Sequence, residues 1–242
     1  MATLKINRPD GRKANELRPV KIIRGYTRYA PGSVLIEMGN TRVLCTANFE
    51  QAVPNWKVDS GSGWLTAEYG MLPSSTPERK RRNIGKIDGR SQEIQRLIGR
   101  ALRAVLDMDK LGENTIWIDC DVLQADGGTR TASITGGYVA LVDAIRWAIR
   151  EGIINKNPIK GAIAAISAGI VNGCVVLDLN YEEDSSAEVD FNVVMTNKGE
   201  LVELQGTAEN GTFSQRQLFD ILKITQKGIR ELLKLQRKAL NE

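Results

Sequence analysis

The pattern that most constrains the fold is a strand followed at once by a helix, with two glycines between them. Residues Thr115–Val122 alternate apolar and polar side chains, which is the period of a β-strand. The glycines are Gly127 and Gly128, and after them apolar side chains recur at helical period: Ile134, Tyr138, Leu141, Val142, Ile145 and Ile149. The two glycines are therefore predicted to lie where a helix begins.

The start of that predicted helix has the chemistry of an anion site. The first N–H groups of a helix have no backbone partner, and they carry the positive end of the helix dipole. Thr129 and Arg130 follow the glycines and add a hydroxyl and a planar guanidinium, which suits a phosphate. An ordinary glycine turn without a ligand remains the alternative from local chemistry alone.

The order of the remaining patterns predicts an α+β fold of mixed β-sheets with packed helices. Strands and helices do not alternate regularly, which disfavours a doubly wound nucleotide fold. The turn Gly39-Asn40 suits a hairpin, and Ser214 with Gln217 has the spacing of a capping box before a long closing helix. We expect one compact unit over residues 1–242, or two similar halves. Strands are predicted at 19–28, 33–38, 41–49, 64–69, 115–123, 161–170, 173–180, 187–196 and 201–208, and helices at 91–108 and 131–151.

The chain has no histidine, so catalysis must use other groups. An acidic stretch runs from Asp178 to Asp190 and leads into a strand whose alternation places Glu188, Asp190 and Asn192 on one face. Asp184 is predicted in the loop before that strand, from which its carboxylate can approach Asp190. Paired carboxylates suit Mg²⁺ or Mn²⁺, and an ordinary solvated acidic surface is the alternative.

A basic segment, Glu78–Arg90, lacks an apolar pattern and follows two prolines, so we predict a mobile loop that contacts phosphates of a nucleic acid. A solvated loop is the alternative. Arg90 immediately precedes a second helical pattern, so its guanidinium can bind a phosphate from the N-terminus of that helix. On the far side of that helix, we expect a solvated or subunit-facing surface formed by Arg96, Arg100 and Arg103.

Composition limits the partners and the compartment. The net charge is +4, so affinity for nucleic acid must come from local patches. Cys45, Cys120 and Cys174 are odd in number and lie in apolar surroundings, which predicts buried reduced thiols. The start of the chain lacks a secretory pattern, and the longest apolar run, Gly161–Ile170, is too short to cross a bilayer. We therefore expect a cytoplasmic protein with no membrane partner.

Several motifs together resemble one family, ribonuclease PH, the phosphorolytic exoribonucleases also called tRNA nucleotidyltransferases. The resemblance extends over essentially the whole chain, with the blocks in the same order and spacing. These blocks are Arg8–Arg12, Glu16–Pro19, Gly89–Ile98, Gln124–Gly136 and Tyr181–Asp190.

The resemblance implies a fold like the second domain of ribosomal protein S5 and a homohexameric ring built as a trimer of dimers. It also implies a reaction in which inorganic phosphate removes 3′-terminal nucleotides of tRNA precursors and other RNAs as nucleoside 5′-diphosphates, with nucleotide addition in reverse. By the same resemblance, the phosphate ligands are Arg90, Gly128, Thr129 and Arg130.

The remaining site residues are also implied by resemblance. The paired catalytic acids are Asp184 and Asp190, which would hold a divalent metal such as Mg²⁺. Asp184 acting as a general acid is an open alternative. The RNA-contacting arginines fall in the region of Arg79, Arg81 and Arg82.

Two alternative functions use the same fold. One is a catalytic subunit of an exosome-like ring that needs a different partner subunit. The other is a non-catalytic RNA-binding ring protein, which is disfavoured because both the phosphate-site arginines and the acid pair are present.

Overall fold

A computed structural model of the chain describes residues 8–82, 88–209 and 211–241. The strands are β1 Val20–Arg24, β2 Gly32–Met38, β3 Thr41–Glu50, β4 Trp64–Met71, β5 Thr115–Gln124, β6 Ile163–Val171, β7 Cys174–Leu177, β8 Val189–Thr196 and β9 Leu201–Ala208. The helices are α1 Gly89–Arg103, α2 Met108–Leu111, α3 Thr129–Arg150, α4 Tyr181–Ser186 and α5 Gln215–Leu240. The predicted α+β class is confirmed.

The strands form two sheets. The first has the order β1-β2-β3-β5-β4, in which only β4 and β5 run parallel. The second is antiparallel, with the order β7-β6-β8-β9. The predicted Gly39-Asn40 turn joins β2 to β3, and Gly39 has the positive φ of 58° that such a turn favours.

Helix α3 packs against both sheets, with β2 and β3 on one side and β6 on the other. Most of its residues are buried, as expected for a helix that is covered on more than one side. β6 is buried along its whole length beneath α3 and α5. The beginning of α3 is thereby held between the sheets, close to the strand β8 that carries Asp190.

Side chains cap the beginnings of two helices, and one of these caps was predicted. Ser214 accepts a hydrogen bond from the Gln217 backbone N–H, and the Gln217 side chain bonds back to Ser214. Asp88 caps α1 by accepting from the Ser91 backbone N–H, so the helix begins two residues earlier than predicted and Arg90 is in its first turn, at the helix N-terminus where it was expected. None of the helices in the described ranges combines the length and the apolar character needed to span a lipid bilayer.

Four local predictions were wrong. α1 ends at Arg103, since the chain then turns to pair Leu106 with Ile159. Arg103 is not simply solvated, because its guanidinium lies over the Trp64 ring, 4.5 Å from the centroid, and donates to the Leu65 carbonyl at 2.8 Å. The strands β1 (Val20–Arg24) and β7 (Cys174–Leu177) are shorter than the predicted ranges 19–28 and 173–180. Cys45 and Cys120 are buried free thiols as expected, but Cys174 is only half-buried.

Candidate active site

One cavity of about 560 Å³ lies where the first turn of α3 meets α1, α4 and β8. It brings together residues that are far apart in the sequence, because the two sheets and α3 converge there. The predicted site residues that line it are Arg79, Arg90, Gly128, Thr129, Arg130, Asp184 and Asp190. The cavity also exposes side chains that the sequence did not single out, among them Ser167 and Tyr181.

The glycine turn before α3 needs glycine for both conformation and space. Gly127 and Gly128 have φ of 74° and 66°, in the left-handed region that other residues avoid. A Cβ on Gly127 would lie 2.6 Å from the Leu179 carbonyl oxygen, which is backbone and cannot rotate away. Gly128 is the N-cap of α3 and supplies no side-chain cap, so the first N–H groups of the helix are left for another acceptor.

Arg18 and Thr41 hold the carbonyl side of this turn. The buried Arg18 guanidinium donates to the carbonyls of Asp126 and Gly127. The Thr41 hydroxyl donates to the Gly127 carbonyl at 2.6 Å and accepts from the Asp126 N–H at 2.9 Å. With its carbonyls occupied on one side, the turn is fixed before any ligand binds.

A buried network of charges connects the beginning of the chain to α4. Arg18 donates to both carboxylate oxygens of Asp178, at 3.1 Å from Nε and 2.7 Å from Nη2. Arg8 makes a two-point contact with Glu183, at 2.6 and 2.7 Å. Glu183 is in the first turn of α4, where it bonds back to the Asn180 N–H at 3.0 Å. The network therefore fixes the position of the helix that carries Asp184.

Asp184 lies in helix α4, not in a loop as predicted. The helix begins with a capping box formed by Asn180 and Glu183. Asp190 is the second residue of β8, paired opposite Gly169 on β6 and Thr207 on β9. The two carboxyls thus come from different elements whose relative position is set by packing.

The pKa values of both carboxyls are raised. Burial is the largest cause of the raised pKa of Asp184, and the negative charge of Asp190 raises it further. Burial also raises the pKa of Asp190, followed by the charge of Glu209. Arg130 lowers the pKa of each carboxyl and Arg90 lowers that of Asp184, so the acids and the arginines act on one another across the cavity.

The two arginines approach the cavity from different helices. Arg130, in the first turn of α3, donates to the side-chain oxygens of Gln205 at 3.2 Å and Glu93 at 3.4 Å. Arg90 is in the first turn of α1. The Thr129 hydroxyl shares a hydrogen bond of 2.9 Å with the Tyr69 hydroxyl, which fixes its rotamer.

The basic loop divides between two cavities. Arg79 lines the main cavity, whereas Arg81 and Arg82 line a neighbouring one of about 410 Å³ that also reaches Arg90. All three arginines are exposed and lie in irregular chain, as predicted. The rest of the predicted loop, residues 83–87, is outside the described residues.

The ligands that the cavity offers to a hard cation are two carboxylates, those of Asp184 and Asp190. Across residues 8–82, 88–209 and 211–241, no cluster of three or more histidine, cysteine or acidic residues has the geometry of a metal site. Asp184 and Asp190 line the same cavity, and the charge of Asp190 raises the pKa of Asp184, so a divalent cation held by these two carboxylates would offset their repulsion. Such a site needs its remaining ligands from substrate phosphates and water.

Comparison with known families defines the class of protein. Residues 16–146 match the first domain of the 3′ exoribonuclease family, and residues 161–228 match the second domain of the same family. The two matches correspond to the two sheets. They do not test the prediction of a single unit over residues 1–242, which stays a prediction.

Curated relatives narrow this class. Ribonuclease PH of Corynebacterium kroppenstedtii is 58% identical over 237 residues, covering 97% of this chain and 93% of the relative. Ribonuclease PH of Corynebacterium glutamicum is 59% identical over 236 residues, covering 97% and 96%. Ribonuclease PH of Crocosphaera subtropica is 56% identical over 235 residues, covering 97% and 98%. The chain belongs to the ribonuclease PH family.

Solved structures agree with the fold. Rice Rrp46 superposes with a TM-score of 0.80 at 21% identity, covering 97% of this chain and all of that one (100%). The Archaeoglobus fulgidus exosome with RNA bound to the active site gives a TM-score of 0.81 at 22% identity, covering 94% and 91%. At such identity these likenesses support the fold alone.

The family membership confirms the predicted enzyme class, a phosphate-dependent 3′-to-5′ exoribonuclease and nucleotidyltransferase. It does not favour the alternatives, a subunit of a hetero-ring and a non-catalytic RNA-binding protein.

Sequence reasoning missed the residues that hold the site together. In the sequence, Arg18 and Asp178 stand out only as part of a motif and of an acidic run. Tyr69 fell inside a predicted strand, with no signal that its hydroxyl reaches Thr129. For Arg8 no local signal was present, because its burial and its partner Glu183 are visible only in the folded chain.

Proposed function

We propose that this chain binds orthophosphate with Arg90, Arg130 and the backbone N–H groups at Gly128 and Thr129, and directs it at the last phosphodiester of an RNA. Support for these roles comes from a single observation: one cavity is lined by both arginines, by the N-terminus of α3 and by two carboxyls. The arginines and the helix N-terminus are positive and suit the attacking anion.

The reaction balances without a water molecule. An oxygen of orthophosphate forms a bond to the terminal phosphorus while the bond from phosphorus to the 3′ oxygen breaks. The products are a nucleoside 5′-diphosphate and an RNA that is one residue shorter; hydrogen phosphate gives up its proton and the departing 3′ oxygen takes one up, so the protons balance. Because phosphate is already a nucleophile, the protein must chiefly position two anions in line against their repulsion, and fixed cations achieve this.

In this proposal Asp184 and Asp190 hold Mg²⁺ or a similar cation. When bound, such a cation supplies positive charge that stabilises the scissile phosphate and the departing oxygen. The carboxyls themselves have raised pKa values, from burial first and then from neighbouring acids, which is the condition that a bound cation relieves.

The substrate and assembly are also proposals. We propose tRNA precursors as substrates, with Arg79, Arg81 and Arg82 contacting the RNA beside the cavity. We also propose a homohexameric ring, which native mass spectrometry tests. A cytoplasmic location stays a prediction.

The test begins with product identity. An RNA with a short 3′ extension and Mg²⁺ should yield nucleoside diphosphates only when phosphate is present, whereas monophosphates would indicate hydrolysis. Arg90→Ala and Arg130→Ala should each raise the KM for phosphate by roughly 10- to 100-fold, because a hydrogen bond to a charged group contributes about 1.5–3 kcal/mol. Arg96→Ala is the matched control, since Arg96 is exposed on α1 outside the cavity. A wild-type KM in either cavity variant contradicts its assigned role.

The metal proposal has a separate test. Asp184→Asn should weaken Mn²⁺ binding, measured by calorimetry on the RNA-free protein, together with phosphorolysis. If Mn²⁺ affinity stays at the wild-type value while phosphorolysis is lost, Asp184 acts as a general acid and the metal assignment fails.

A further inference from the structure

A second large cavity lies at the opposite end of α3 from the active site. It has a volume of about 660 Å³ and forms where the C-terminal parts of α3 and α5 approach the segment before β6. Its floor is apolar and includes the buried side chains of Val142, Ile145 and Leu233. Five cations line it: Arg146, Lys160, Arg230, Lys234 and Arg237.

The charge of this basic groove is not balanced within its lining. None of the residues that line it, all in the described part of the chain, is acidic. The Arg146 guanidinium donates to the Leu240 carbonyl at 3.0 Å, which fixes one cation at the rim. Several like charges around one concavity repel one another and raise the local concentration of anions.

Helix dipoles do not account for the whole groove. A cation in the last turn of a helix is stabilised by the dipole, and this applies to Arg237 on α5. Lys160 lies outside any helix, and Arg230 lies about three turns before the end of α5. The helix dipole therefore does not explain the positions of those two cations.

We propose that the basic groove binds the phosphate backbone of the RNA substrate upstream of the 3′ end that is being shortened. This inference rests on the exoribonuclease function, which supplies a polyanion as ligand. A second copy of this chain is the less suitable occupant, because its net charge of +4 would add to the repulsion.

The spacing within the fold predicts a length dependence. From Arg130 to Arg146 is sixteen residues along α3, which corresponds to roughly 24 Å at the rise of an α-helix. A nucleic-acid strand in a helix advances about 3.4 Å per nucleotide, so about seven stacked nucleotides span the distance from the active site to the groove. A stacked RNA of five nucleotides therefore cannot occupy both, whereas one of twenty can.

The test uses the full chain with three exposed cations neutralised, Lys160→Gln, Arg230→Gln and Lys234→Gln. Binding of a twenty-nucleotide RNA is measured by fluorescence anisotropy over a range of salt, and phosphorolysis of the twenty- and five-nucleotide RNAs by product release. We expect the dissociation constant of the long RNA to rise tenfold or more and the salt slope to fall by about 2, because each phosphate contact contributes about 0.7–0.9 to the slope. The kcat and KM for the pentanucleotide should not change.

The control variant changes the same net charge elsewhere, with Lys21→Gln, Lys223→Gln and Lys227→Gln, all exposed and outside the groove. An equal loss of affinity in the control means a general field effect and overturns the proposal. An unchanged salt slope in the groove variant, or a change of its native mass that indicates a subunit interface, also overturns it. Failure of the wild-type protein to shorten either RNA in the presence of phosphate would instead contradict the proposed catalytic function.

Discussion

Replacing Gly127 with alanine adds one methyl group to the turn before α3. The change tests whether the close packing of this turn against the segment before α4 is needed for phosphate binding. The φ of 74° at Gly127 is in the left-handed region, and a Cβ there would lie 2.6 Å from the Leu179 carbonyl oxygen and 2.7 Å from the Asn180 carbonyl carbon. Both neighbours are backbone atoms of the segment that leads into α4. Gly127→Ala must therefore separate the turn from α4.

The expected loss of unfolding free energy in Gly127→Ala has two parts. A non-glycine residue in the left-handed region costs about 1–2 kcal/mol. Forcing an extra methyl group into a packed position adds about 1–3 kcal/mol. The sum is roughly 2–5 kcal/mol, and each kcal/mol corresponds to about 2–4 °C in Tm for a chain of this size.

Gly152→Ala is the matched control. Gly152 has a nearly equal φ of 71°, but nothing lies within 4 Å of a Cβ built there. The Gly152→Ala variant should lose only the unfolding free energy that the left-handed backbone costs, about 1–2 kcal/mol, and keep its kinetic constants. Gly127→Ala should lose more Tm than the control. It should also raise the KM for phosphate or lower kcat, because a misplacement of about 1 Å can cost about 100-fold in rate.

Calorimetric melting at one protein concentration and steady-state phosphorolysis over a range of phosphate measure both effects. If Gly127→Ala melts together with Gly152→Ala and keeps the wild-type KM for phosphate, the close approach between the turn and α4 does not constrain the site. The reasoning about the glycine turn would then be refuted.

Two further predictions concern the buried and half-buried acids. Asp178→Ala leaves the buried Arg18 guanidinium without its carboxylate and should cost about 3–5 kcal/mol of unfolding free energy, measured by urea denaturation. Asp190→Asn should abolish phosphorolysis yet raise the Tm of the metal-free protein at pH 7, because it removes a charge that raises the pKa of Asp184. Since raised pKa values mean that the folded state holds protons more tightly, the stability contribution of these acids is present below their ordinary pKa and falls as pH rises through the raised values. An unchanged dependence of unfolding free energy on pH between 4 and 7 in Asp190→Asn would contradict this account.

The elements with strong periodicity were predictable from the sequence. β9 was predicted at 201–208 and lies at Leu201–Ala208, and β3 differs from its prediction by one residue. The anion site was also indicated, because glycines, a hydroxyl and an arginine at a strand-to-helix junction are local in the sequence. Periodicity and turn chemistry act over a few residues, which is why these features could be inferred from one chain.

The helix α4 was missed because its six residues are mostly polar and too few to show a helical period. The signal present was Asn180 followed three residues later by Glu183, which is the spacing of a capping box. The contact between Arg8 and Glu183 joins positions 175 residues apart. No local pattern specifies such a pair, because it forms only when the second sheet packs against the start of the chain.

The buried ion pairs therefore have a different role from the core. Replacing a buried ion pair with apolar residues is often neutral or stabilising, so Arg18 with Asp178 and Arg8 with Glu183 are weak grounds for stability. Apolar packing does not provide directional hydrogen bonds. The Arg18 guanidinium does, because it contacts Asp178 and the carbonyls of the glycine turn at once. The same network fixes the first turn of α4 through Glu183. A site that must hold two repelling anions in line needs its hydrogen-bond donors and its carboxyls fixed relative to one another. The two buried ion pairs do this, because they connect the glycine turn before α3 to the helix α4 that carries Asp184.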